Sequence, residues 1–72
     1  MEHLIGETAG KVYQCLADRN GGPLSLDAVR RTVGGPTALF HMAIGWLARE
    51  EKVSFFRQGR TTLIALTENK TL

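Results

Sequence analysis

Four arginines stand in two groups, Arg30-Arg31 and Arg57 with Arg60. A guanidinium carries a fixed charge on a planar fork of donors, so two such groups on separate elements are equipped to hold two stretches of phosphate backbone. The plain alternative is solvated surface, the default role of charge on helices and turns. Covalent and metal chemistry find less to work with. Cys15 is the single cysteine, and His3 and His41 are the two histidines. A nucleophilic thiol needs a base within hydrogen-bond reach, and neither histidine has a sequence reason to approach it. Cys15 reads as a small hydrophobe at the apolar edge of a helix. No Cys, His and acidic residues share metal-ligand spacing, so no catalytic residue, metal, cofactor or small-molecule ligand is expected. Gly34-Gly35-Pro36 lacks the Lys-Ser/Thr and the preceding strand of a phosphate loop and reads as a turn. Asp18, Asp27 and the Glu50-Glu51 pair read as helix-end and surface charges.

Composition sets the frame for these residues. Seventy-two residues are expected to form one domain over 1–72, with its core within about 5–67 and a flexible tail at 68–72. A chain this short buries only about 60% of its unfolded surface, so a partner subunit is a reasonable source of added stability. The 43% hydrophobic and 22% charged content is that of an ordinary soluble domain, and the net charge of +2 tolerates nucleic acid without advertising it. The apolar runs are too short to span a bilayer. No secretion signal is expected from Met1-Glu2-His3-Leu4, which lacks a basic region followed by a long apolar one. With one cysteine, the expected compartment is a reducing cytoplasm.

The elements follow from periodicity. Ile5, Ala9, Val12, Tyr13, Leu16 and Ala17 recur at helical spacing and predict a helix over 5–19. Asn20-Gly21-Gly22-Pro23 ends it. Gly10 costs up to ~1 kcal/mol against Ala inside such a helix; either a second backbone passes close, or Gly6 and Gly10 mark a frayed first turn. Pro23-Leu24-Ser25-Leu26 suits a short strand, and Ser25 suits the N-cap of a second helix over 26–33 with Leu26, Val29 and Val33 inward. Pro36–Glu50 predicts a third helix. Its apolar arc centres on Leu39, Ala43, Trp46 and Leu47, flanked by Phe40, Met42 and Ile44, with Trp46 as a core anchor. Its outward arc holds Thr37, Ala38, His41, Gly45, Ala48 and Arg49. From Val53 the period becomes two: VSFFR and TTLIALT, joined at Gln58-Gly59-Arg60, predict a hairpin whose inward face is left open.

Helix, short strand, helix, turn, helix and hairpin is the order of a winged helix-turn-helix, an α+β fold of three helices and a C-terminal two-stranded wing. Ala43-Ile44-Gly45-Trp46-Leu47-Ala48-Arg49-Glu50 followed by Lys52-Val53 resembles a small bacterial winged helix-turn-helix family with no assigned function. Ala9-Gly10-Lys11-Val12-Tyr13 and Leu24-Ser25-Leu26 fit the same family, and the match runs over roughly residues 5–67. The wider class implies a module that lays its third helix in the major groove of double-stranded DNA. On that pattern Thr37 and His41 stand nearest bases and Arg30, Arg31, Arg57 and Arg60 nearest phosphates. One hydroxyl and one imidazole discriminate bases poorly, so weak, salt-sensitive and unselective binding is expected.

Self-association is the second expectation. Ala38, His41, Gly45 and Ala48 form a small, nearly uncharged arc that lets another backbone come near. Phe56 and Tyr13 offer additional apolar area. A homodimer through Ala38, His41, Gly45, Ala48 and Phe56 is therefore expected, with a protein-interaction module lacking any nucleic-acid role as the alternative to the regulator-like reading.

Overall fold

The computed structural model describes residues 2–67, so the expected tail at 68–72 lies outside the described residues. The chain runs α1 (Glu2–Ala17), β1 (Leu24–Ser25), α2 (Leu26–Val33), α3 (Thr37–Arg49), β2 (Val53–Gln58) and β3 (Thr61–Leu66). This is the winged helix-turn-helix order. No helix among the described residues is long and apolar enough to cross a membrane.

The core joins all three helices to the sheet. Ala9, Val12 and Leu16 of α1 meet Val29 of α2, Phe40, Ala43, Ile44 and Leu47 of α3, Val53 of β2 and Ile64 of β3. Each large apolar side chain so buried contributes about 1.5–3 kcal/mol. α1 begins at Glu2 and ends at Ala17 rather than spanning 5–19. Gly6 and Gly10 therefore lie inside a regular helix, not in a frayed turn. Tyr13, expected on the inward face of α1, is 47% exposed instead. Val12 and Leu16 already fill that face, and Tyr13 projects from its flank.

α3 is turned relative to the sequence expectation. Trp46 and Met42 are 47% and 45% exposed, and Leu39 is half-buried. The buried stripe is Phe40, Ala43, Ile44 and Leu47. At 100° per residue its centre lies about 60° from the expected one. Trp46 is therefore not a core anchor. The apolar residues of α3 cover more of its circumference than one core can take, and the branched and aromatic pair Phe40 and Ile44 takes the inside.

The hairpin gains a third strand. β1 pairs antiparallel with β3 through Leu24 opposite Ile64 and Ser25 opposite Leu63, giving the order β1-β3-β2. Val53 pairs with Leu66 and Phe55 with Ile64, so these four share one face, on which Val53, Ile64 and Leu66 pack on the core while Phe55 is exposed. Phe56, Leu63 and Ala65 fall on the opposite face. Gln58 pairs with Thr61, which leaves a two-residue turn of Gly59 and Arg60. Gly59 has φ 62°, the conformation that favours Gly at the first position of such a turn.

Between α1 and β1 the backbone leaves no room for a side chain. Gly22 has φ +87°, and a Cβ on it would stand 2.9 Å from the Ile64 carbonyl oxygen. Beside it, the Leu66 N–H donates to the Gly21 carbonyl at 2.8 Å, tying the end of β3 to this loop. Gly22→Ala is expected to cost about 2 kcal/mol or more, from the strained φ and the clash with β3. Urea melts monitored at the helical signal check this; an unchanged midpoint would contradict the close approach.

Candidate nucleic-acid interface

Three elements converge on one open cleft. Ser25 ends β1 in an extended conformation, and its Oγ accepts a hydrogen bond from the Ala28 N–H at 3.0 Å, which starts α2. Because β1 is in register with β3, this first turn of α2 is held beside the wing. The cleft is then lined by Ser25, Asp27 and Arg30 from the α2 side, by His41 of α3, and by Arg60, Thr61 and Thr62 of the wing. Phe40, fully buried, closes its floor, and the His41 ring packs on it edge-on at 5.7 Å between centroids.

The charge in the cleft is partly balanced from within. Arg30 Nη2 donates to Asp27 Oδ1 at 2.7 Å, and Arg31 Nη2 lies 3.4 Å from Asp27 Oδ2. The hydrogen bond from Arg30, with the charge of Arg31, holds the Asp27 carboxyl below its usual value. These are exposed i,i+3 and i,i+4 pairs on one helix, whose worth is small. Arg60 has no such partner among the described residues. Two guanidinium groups, an imidazole and three hydroxyls facing one space can offer donors to an anion such as a phosphate diester.

Of the six residues expected to meet nucleic acid, Arg30, His41 and Arg60 are thus brought together. Arg31 sits outside the cleft, turned to Asp27. Thr37 opens α3 and is exposed, and Arg57 pairs across from Thr62 without lining the cleft. Among the expected dimer residues, Ala38, His41, Gly45 and Ala48 are all exposed on α3, and a Cβ on Gly45 would meet nothing. Phe56 belongs to a different surface: it stands on the outer sheet face beside Pro23 and Ala65. Cys15 is half-buried among Asp18, Leu24 and Thr32, and neither histidine lines that space.

Sequence reasoning passed over Asp27, Ser25, Thr61 and Thr62 as parts of this site. The spacing Asp27–Arg30–Arg31 carries the pairing signal directly, since residues three and four apart share a helix face. The threonines carry no such signal. Only the pairing of β1 with β3 brings them opposite Arg30.

Comparison with known proteins agrees with this architecture. Residues 1–66 match the family described as "Winged helix-turn-helix domain (DUF2582)". An uncharacterized protein of Methanocaldococcus jannaschii, MJ1608, is 37% identical over 62 residues, covering 86% of this chain and 89% of that protein. The solution NMR structure of protein BT2368 from Bacteroides thetaiotaomicron is similar with a TM-score of 0.73 and 33% identity, over 92% of this chain and 79% of that one. The chain belongs to this winged helix-turn-helix family.

The Asp27 pairs have a pH signature. Because the pairs hold the folded carboxyl below its ordinary value, their contribution is present above the ordinary carboxylate range and is lost as pH falls through the lower folded value. Asp27→Asn is expected to remove that loss and flatten the acid limb of stability. Thermal melts by circular dichroism between about pH 6 and pH 2 check it; identical acid limbs for the two proteins would contradict the pairing.

Proposed function

We propose that this member of the winged helix-turn-helix family binds double-stranded DNA, weakly and with little sequence preference, and acts as a homodimeric regulator-like module. The observation that carries the reading is the convergence of Arg30, His41 and Arg60, from three elements, on one hydroxyl-lined cleft. Pro36 stands at the N-cap of α3 with no side-chain hydrogen bond to the helix start. The first amides of α3 thus gain no cap from Pro36, and helix N-termini favour a phosphate oxygen.

In this reading α3 enters the major groove with Thr37 and His41 nearest the bases, while Arg30, Arg31, Arg57 and Arg60 hold the backbone on either side. The small outward residues Ala38, Gly45 and Ala48 let the helix sit deep but read no bases, because none presents a two-pronged donor and acceptor pair. Affinity then comes from phosphate contacts, and Asp27 limits it by competing for two of the four arginines. A competing reading rests on that same competition: a cleft already half-neutralised, on a chain of net charge +2, suits a module that meets only protein.

Titration of a generic duplex by fluorescence anisotropy at several salt concentrations separates the two. Four arginines on phosphates would give a slope of log K against log salt of roughly −3.6 per chain, and the hold of Asp27 brings it nearer about −2. Arg60→Gln is expected to weaken binding equally on all sequences and reduce the slope by about 1. Asp27→Asn is expected to tighten binding several-fold and steepen the slope. Absence of binding at low salt, or indifference to both substitutions, would leave the protein-only reading.

A further inference from the structure

A second surface, away from the cleft, is built from features the single chain does not need. Gly6 and Gly10 lie one turn apart inside α1, and a Cβ on either would meet nothing in its own chain. Glycine weakens a helix interior relative to alanine, so the monomer gives no reason for them. They line a groove between α1 and α3 together with Tyr13 and Trp46, which are both 47% exposed. Glu50 and Lys52 form its charged lip.

We infer that this groove is the face on which a second copy of the chain docks, so that the homodimer closes through α1 and α3 rather than through the outward arc of α3. Three properties point to a copy rather than to another protein. The groove holds projecting aromatic rings and an empty notch side by side, and a two-fold interface needs both on the same patch. Its lip carries one acid and one base, Glu50 and Lys52, so a second copy can offer each an opposite charge; a patch for an acidic or a basic partner would carry one sign. A chain this short also lacks the buried area of larger domains.

The area sets the extent of contact. Two half-open rings supply about 200 Å² per chain, a quarter of the roughly 800 Å² per partner that a stable dimer buries. The contact therefore runs along the α1 flank past both glycines, where a side chain on either holds the helices apart. The arrangement leaves His41 and the cleft open.

This inference rests on the homodimer reading, and sedimentation over a range of concentrations separates the failure of each. The wild-type chain is expected at twice its 7.9 kDa mass. Gly10→Gln and Gly6→Gln are expected to stay helical and sediment as monomers, whereas Gly45→Gln is expected to remain a dimer. Emission of Trp46, the single tryptophan, is expected to shift red on dilution of the wild type and to stay fixed in Gly10→Gln. A wild-type monomer at millimolar concentration overturns both readings and leaves the groove to a different protein. A dimer that survives Gly10→Gln and Gly6→Gln, or Trp46 emission that ignores dilution, overturns this surface and leaves pairing in place.

Discussion

The burial of Phe40 with Ala43, Ile44 and Leu47 is the constraint from which the surface of this molecule follows. A helix has one degree of freedom once its ends are placed, its rotation about its own axis, and this stripe sets it for α3. Turning the helix by about 60° to bury Trp46 would bring Phe40 and Ile44 toward solvent. Two apolar side chains, worth about 1.5–3 kcal/mol each, would be exchanged for one, and its indole N–H would then need a buried acceptor. With the rotation settled, His41 lies on the cleft side with its ring on Phe40, and Trp46 lies on the α1 side beside Tyr13.

The same constraint explains what could be read from the chain and what could not. α2 was legible to the residue, because its start and stop are local chemistry: Ser25 caps the first turn and Gly34 takes φ 74° at the end. The hairpin was legible because β-branched and aromatic residues alternate around Gly59. The rotation of α3 was not, because Leu39, Phe40, Met42, Ala43, Ile44, Trp46 and Leu47 spread apolar character over more than half its circumference. A pattern that broad has a centre but no edge, and the edge against α2 and the sheet is what was chosen. Of the site, residue type and spacing pointed to the arginines but not to their gathering. Arg30 and Arg60 line one cleft because β1 adds to β3, a pairing between segments about forty residues apart whose register rests on two residues.

Electrostatics and packing then divide the molecule into two faces. On one, Asp27 pairs with the arginines of α2 while Arg60 at the wing tip has no carboxylate partner among the described residues, which suits contact with a phosphate backbone more than recognition of a sequence. On the other, glycines that weaken α1 lie against aromatic rings that the core has no room for. Both faces border α3, on opposite flanks, so one helix rotation leaves the cleft and the aromatic groove on separate surfaces.

That division is tested most directly by recording amide and indole resonances of the isotopically labelled protein while a short generic duplex is added at low salt. The account predicts that signals of Arg30, His41, Arg60 and Thr62 move with duplex and return with salt, while those of Gly10, Tyr13 and the Trp46 indole stay in place. Movement of the Trp46 indole and Gly10 with the cleft signals unchanged would contradict it.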